Sequence, residues 1–150
     1  MEQTLSPKPL LDWLEAEKVQ RAVVEWVNTC PKAFDQVTYE ALPDDAAGMC
    51  VTTVQPPYKA RRYIAGGYLG SYQFGIIYRV QPSDSDDQLS AVEVLNRIAA
   101  WTEQNPDKPN LTEKAVVRSI RRDNGASLLA VYEDGTKDYQ ITITLQWEVI

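Results

Sequence analysis

The sequence predicts an α+β fold: a mainly antiparallel sheet covered by an N-terminal helical segment and one central helix, in a single domain spanning residues 1–150. Three observations predict it. Apolar residues recur at spacings of three and four from Leu10 to Val27, and again from Leu89 to Thr102. Elsewhere the chain alternates with period two, most regularly where Tyr139, Ile141, Ile143, Leu145, Trp147 and Val149 interleave with Gln140, Thr142, Thr144, Gln146 and Glu148. Runs of strands separated by a single helix argue for an antiparallel sheet rather than a doubly wound parallel one.

The first helical segment opens with Ser6-Pro7, a capping hydroxyl followed by a proline at the first helical position, where its missing N–H costs nothing. Its apolar residues are Leu10, Leu11, Trp13, Leu14, Val19, Ala22, Val23, Trp26 and Val27, and it ends before Pro31. It is one long helix or two short ones broken at Glu15-Ala16-Glu17-Lys18. Val37 to Leu42 is a short strand candidate, followed by a turn at Pro43-Asp44-Asp45. Gly48 to Gln55, rich in Val and Thr, is a better one, which Pro56-Pro57 ends.

Lys59 to Ala65 is the next strand candidate, and another starts at Tyr72, where Tyr72, Phe74, Ile76, Tyr78 and Val80 form the apolar set. Between them stands Gly66-Gly67-x-x-Gly70. Glycines that hold a phosphate must open a helix, whose bare N–H groups bind the anion. Here a strand follows, so they make a bend or bulge between strands. The segment Tyr58 to Gly70 then reads as an arm or hairpin projecting from the sheet.

Ser83-Asp84-Ser85-Asp86-Asp87 supplies capping side chains and favourable negative charge for the central helix, Asp86 to Glu103. Its face of Leu89, Val92, Leu95, Ile98, Ala99 and Thr102, widened by Ala91, Val94 and Trp101, must cover the sheet, because a lone amphipathic helix is marginal in water. Trp147 and Leu145 belong to the sheet face it covers. The acidic run lacks the central glycine and closing glutamate of a calcium loop. After the linker Asn105 to Asn110 come strands at Lys114 to Arg122, Ser127 to Glu133 and Tyr139 to Val149. Asn124-Gly125 carries a hairpin-turn signal, and Asp134-Gly135 separates the last two strands.

Composition narrows the function. With 44% hydrophobic and 24% charged residues the chain can build one core without disulfide, metal or cofactor. Cys30 and Cys50 lack metal-site or redox spacing and read as small buried hydrophobes. A net charge of −6 repels phosphate backbones, so sequence-independent nucleic-acid binding is not expected. The basic clusters Lys59-Ala60-Arg61-Arg62 and Arg118 with Arg121-Arg122 are solvated strand positions or a polar interface. No apolar leader or membrane-spanning run is visible, which points to a soluble protein made in the cytoplasm.

The sequence contains no histidine, which removes the commonest general base and metal ligand. No carboxylate pair sits in a catalytic motif and neither cysteine has an activating neighbour in sequence, so no catalytic residue, metal or cofactor is expected and the chain reads as no enzyme.

The order of elements, with Pro56-Pro57-Tyr58, Ser71-Tyr72-Gln73-Phe74-Gly75-Ile76-Ile77-Tyr78-Arg79, the acid-capped helix with Leu95, Ile98 and Trp101, and the closing Tyr139-Gln140-Ile141-x-Ile143-x-Leu145-x-Trp147, resembles the minor capsid or tail-completion proteins of tailed phages and prophages, nearest the tail-terminator type. The resemblance spans the chain from about Leu10 to its end and lies in patterning and aromatic positions. It implies a virion structural protein, made in the bacterial host cytoplasm, that self-associates into a ring, typically of six, at the head-proximal end of the tail tube. There it docks the head connector, and DNA passes nearby without specific binding. Such a function is an interface; the candidates for it are Arg61, Arg62, Tyr68, Gln140, Thr142 and Thr144. The alternative is a monomeric small-ligand-binding or regulatory α+β module of prophage origin.

Overall fold

A computed structural model describes residues 10–31, 37–40, 42, 48–81 and 85–150. The elements follow in the order α1 (Trp13–Val27), β1 (Val37–Tyr39), β2 (Gly48–Arg62), β3 (Tyr68–Val80), α2 (Ser85–Gln104), β4 (Ala115–Arg122), β5 (Ser127–Val131) and β6 (Lys137–Val149). The fold is α+β, with two helices on a six-stranded, mostly antiparallel sheet. Its order is β1-β2-β3-β6-β4, with β5 also on β6; β1 alone runs parallel to its neighbour.

One face of this sheet makes the core, and strand alternation decides which residues enter it. Along β6 the buried residues Tyr139, Ile141, Ile143, Leu145 and Trp147 stand beside Tyr78, Ile76, Phe74, Tyr72 and Gly70 of β3. Both helices cover this face: α1 packs on β1 and β2, and α2 on β3, β4 and β6. α1 contributes Val19, Ala22, Val23, Trp26 and Val27, while α2 contributes Ala91, Leu95, Ile98, Ala99 and Thr102. The helices meet through Trp26 and Trp101, whose ring centroids lie 4.9 Å apart, and the Trp26 indole N–H donates to the Asp107 carbonyl at 2.7 Å. Trp147 and Leu145 are each 1% exposed, as the alternation predicts.

α1 is a single helix that continues through Glu15-Ala16-Glu17-Lys18, since Ala16 donates to the Asp12 carbonyl and both Glu15 and Lys18 keep the helical register. It starts later than the sequence predicts: Leu10 bridges Tyr58 and Asp12 precedes the first turn at Trp13, so Ser6-Pro7, itself outside the described residues, does not open α1. The Pro43-Asp44-Asp45 turn and the acidic cap at Ser83-Asp84 lie outside the described residues. Cys30 and Cys50 are both buried and form no disulfide.

Three other expectations are corrected. Pro56-Pro57 does not end a strand: β2 runs from Gly48 to Arg62, and the prolines fall where its register against β3 slips between Gln55 and Tyr58. A proline lacks the N–H of a ladder bond, so a bulge is where a sheet tolerates it. For the same reason Tyr58 to Gly70 is no projecting arm. Tyr58, Lys59, Arg61 and Arg62 pair with Ser71, Gly70, Leu69 and Tyr68, and β3 pairs onward with β6. Only the tight turn at Tyr63 to Gly67 extends beyond the ladder; Gly66 and Gly67 hold φ of 99° and 83°, and a side chain at Gly67 would strike the Val149 carbonyl.

Asn124-Gly125 is not a hairpin turn either. β4 and β5 do not pair with each other; they lie end to end along the same edge of β6. Asp123 donates its N–H to the Thr142 carbonyl and the Asn124 side chain accepts from the Thr142 N–H, which carries the chain across the break. Gly125 has no left-handed φ, as a two-residue primed turn would require, whereas Gly135 has φ 90° and turns β5 into β6.

Candidate functional site

The helices cover one side of the sheet, and among the described residues no element covers the other. On β6 that open face carries Gln140, Thr142, Thr144, Gln146 and Glu148, all partly exposed. Beside them on β3 stand Ile77, Gly75, Gln73, Ser71 and Leu69. Neutral amides and hydroxyls therefore fill its two central strands, with Arg121 and Asp123 beside Thr144 and further charges at the ends.

Asp123 organises the middle. Its carboxylate accepts from the Thr144 hydroxyl at 2.8 and 3.0 Å and from the Gln73 amide at 2.8 Å, joining side chains of β6 and β3 to the link that follows β4. At one end, Glu148 accepts from the Tyr63 hydroxyl and from Arg118. These bonds, Tyr63 first and Arg118 second, hold the Glu148 carboxyl below its ordinary range, and the same contact raises the Tyr63 phenol. The network ties the β2–β3 turn to the end of β6.

The opposite end is more enclosed. Asp138, 3% exposed, takes Arg79 Nε at 2.8 Å and Nη2 at 2.9 Å on its two oxygens, and the Tyr132 hydroxyl at 2.7 Å. The guanidinium lies 5.0 Å from the Tyr132 ring centroid. Hydrogen bonding to Asp138 raises Arg79 further above its already high pKa, and raises Tyr132.

The six sequence-predicted residues do not form one surface. Gln140, Thr142 and Thr144 share the open face. Arg61 pairs with Leu69, opposite Glu148, and so lies on this face beside Tyr63. Arg62 is exposed at the strand end, but alternation turns it toward the helix side. Tyr68 is 8% exposed and belongs to the core. Its hydroxyl donates to Glu15 Oε2 at 2.9 Å and is bonded by Trp147, so it clips α1 to the sheet. Sequence reasoning missed Asp123, Tyr63 and Asp138, which became visible as network centres only once the strands were paired.

Tyr68 carries a pH signature. Burial first, and the Glu15 bond second, push its phenol from 10.0 up to about 12. Between these values the folded chain retains a proton that the unfolded chain has released, so stability falls as pH rises through that window. Tyr68→Phe is expected to lose about 1 kcal/mol at neutral pH through the missing bond. Its alkaline decline is shallower than wild type, though not abolished, because burial raises Tyr72 as well. Melting curves of both proteins across that range check this; parallel declines would refute it.

Among the described residues no group of three His, Cys, Asp or Glu side chains could hold a metal ion, and no helix is long and apolar enough to cross a membrane. No family model matches the chain, and no curated protein does.

Proposed function

We propose that this protein is a virion structural protein of the tail-terminator type, which assembles as a ring on the head-proximal end of a tail tube and docks the head connector. The observation that carries the reading is the one-sided sheet. Its uncovered face presents neutral donors and acceptors, Gln140, Thr142, Thr144 and Gln73, of which Thr144 and Gln73 are held in place by Asp123. Such a pre-ordered, wet surface suits contact between subunits, because little side-chain freedom is left to lose on docking.

Two further features support it. The patterning resemblance runs through β3 and β6, neighbouring strands at the centre of the sheet, and α2, which packs on both. The net charge of −6 fits a ring whose channel passes DNA without retaining it, since a strongly basic lining would bind phosphates by counterion release. The alternative, a small-ligand module, needs apolar walls with converging polar groups. The cleft beside α1 has mostly apolar walls between the polar ends of Glu17, Gln20, Arg21 and Glu25, and it is the place where that alternative would be sought.

The test uses the partner. The protein is added to elongating tail tubes, and their lengths are measured by electron microscopy. Tubes that stop at one length, capped by this protein, support termination. Tubes that keep growing while the protein stays free in solution overturn it and favour the small-ligand module.

A further inference from the structure

The turn between β2 and β3 carries an apolar residue for which the fold itself has no use. The Gly66 N–H donates to the Tyr63 carbonyl and the Tyr63 N–H to the Gly67 carbonyl, so Ile64 and Ala65 are the central residues of a tight turn. Such positions usually hold Gly, Pro, Asn, Asp or Ser, each for a backbone reason that a β-branched apolar side chain does not supply. Ile64 is nevertheless there, and fully exposed. The turn is also held firmly, by Tyr63 on Glu148 and by the close approach of Gly67 to the Val149 carbonyl. An apolar knob fixed in this way loses little freedom when it docks.

The same chain carries a recess of matching chemistry. The cleft of about 350 Å3 beside α1 lies between Tyr39 of β1 and one stripe of the helix, Glu17, Gln20, Arg21, Val24 and Glu25. Its walls are mostly apolar, and the stripe has a carboxylate at each end, about 12 Å apart at the rise of a helix. Beside Ile64, Arg61 and Arg62 are exposed on opposite faces of the hairpin. None of Arg61, Arg62, Glu17 and Glu25 has an ion-pair partner among the described residues. An apolar tip flanked by two cations thus complements an apolar recess flanked by two carboxylates, with Arg21 the single opposing charge in the stripe.

The tip does not reach the cleft of its own chain. Tyr39 bonds Thr53, which stands opposite Phe74, whereas the turn follows Arg62, opposite Tyr68; the stretch of β3 between them measures roughly 20 Å at the rise of a strand. We propose that the β2–β3 turn of one copy seats Ile64 in the cleft between α1 and β1 of the next, with Arg61 and Arg62 toward Glu17 and Glu25. Knob and hole are different parts of the surface, so the contact is head-to-tail, the kind that generates a ring when its rotation closes and a filament when it does not. It rests on the ring reading, whose subunit contact it names. Arg61 and Tyr63 stand at the end of the open sheet face, so this contact adjoins that surface.

Sedimentation of the full chain over a concentration series tests it, with two variants. Wild type is expected to associate as concentration rises. Ile64→Asp removes the knob, and Glu17→Arg with Glu25→Arg recharges the hole; each is expected to weaken association by roughly tenfold or more while keeping the wild-type melting curve, since the replaced side chains are exposed. Mixing the two variants one to one leaves one intact knob and one intact hole, so pairs of two chains are expected, and nothing larger. A wild type that remains one chain at every concentration overturns the proposal and leaves the ring reading to the tail-tube assay. Association that Ile64→Asp does not weaken, or a mixture that stays unpaired, also overturns it; closed rings in the first case would keep the ring reading and discard only this contact. Open filaments sensitive to both variants would confirm the contact and count against the ring. Should the double arginine variant fail to fold, Ile64→Asp decides alone.

Discussion

Trp147→Ala is expected to lower the unfolding free energy by about 3–5 kcal/mol, the range for truncating a large buried aromatic. That is a large fraction of the ~5–15 kcal/mol by which a domain of this kind is stable. Trp147 is 1% exposed, and its indole occupies the space that a side chain on Gly70 would need across the ladder. It also bonds the Tyr68 hydroxyl, which in turn holds Glu15 of α1. Truncation therefore opens a cavity between sheet and helices and loosens the clip on α1. Thr144→Ala, three residues away on the open face, is expected to cost only about 1 kcal/mol, for the bonds to Asp123. Urea unfolding of the two variants measures the difference; equal midpoints would mean that the register of β6 is wrong.

The second large effect is expected at Asp138. Asp138→Ala leaves the Arg79 guanidinium without its bidentate partner and the Tyr132 hydroxyl without its acceptor. Removing one member of a fully sealed ion pair costs ~3–5 kcal/mol, because an uncompensated charge stays buried. Arg79 keeps 14% of its side-chain surface in solvent, so a loss of about 2–3 kcal/mol is expected here. Combining Asp138→Ala with Arg79→Met should recover much of the loss, since no charge is then stranded. Thermal melts of the single and double variants separate the cost of the arginine's lost carboxylate from that of a cavity. A double variant no more stable than Asp138→Ala would show that the arginine charge is not the cause.

Both sites show where sequence periodicity carries information. The alternation from Tyr139 to Val149 already assigned Trp147 to the core, because a strand with one buried face must repeat every second residue. The three-and-four spacing from Leu89 to Thr102 gave α2 and its covering face in the same way. The open face was legible from the same strand as a row of Gln and Thr. Its chemistry was not, because Asp123 and Thr144 are 21 residues apart in sequence and Tyr63 and Glu148 are 85 apart.

The sequence by itself determined the α+β class, the two amphipathic helices and the buried residues of β6 and of β3 from Tyr72 to Ile76, because these depend on periodicity within one segment. Tertiary structure decided what depends on a partner strand. Pro56-Pro57 reads locally as a strand end, yet pairing with β3 on both sides carries β2 through it as a bulge. Asn124-Gly125 reads locally as a hairpin, yet β6 is long enough to hold β4 and β5 in line, so the chain goes straight on. Tyr68 reads as a surface residue beside flexible glycines, and only the approach of Glu15 and Trp147 from other elements makes it core. A turn or breaker residue states what the backbone prefers in isolation, at about 1 kcal/mol or less for all but proline. The ladder bonds and buried faces of a neighbouring strand outweigh that preference when summed over a dozen residues.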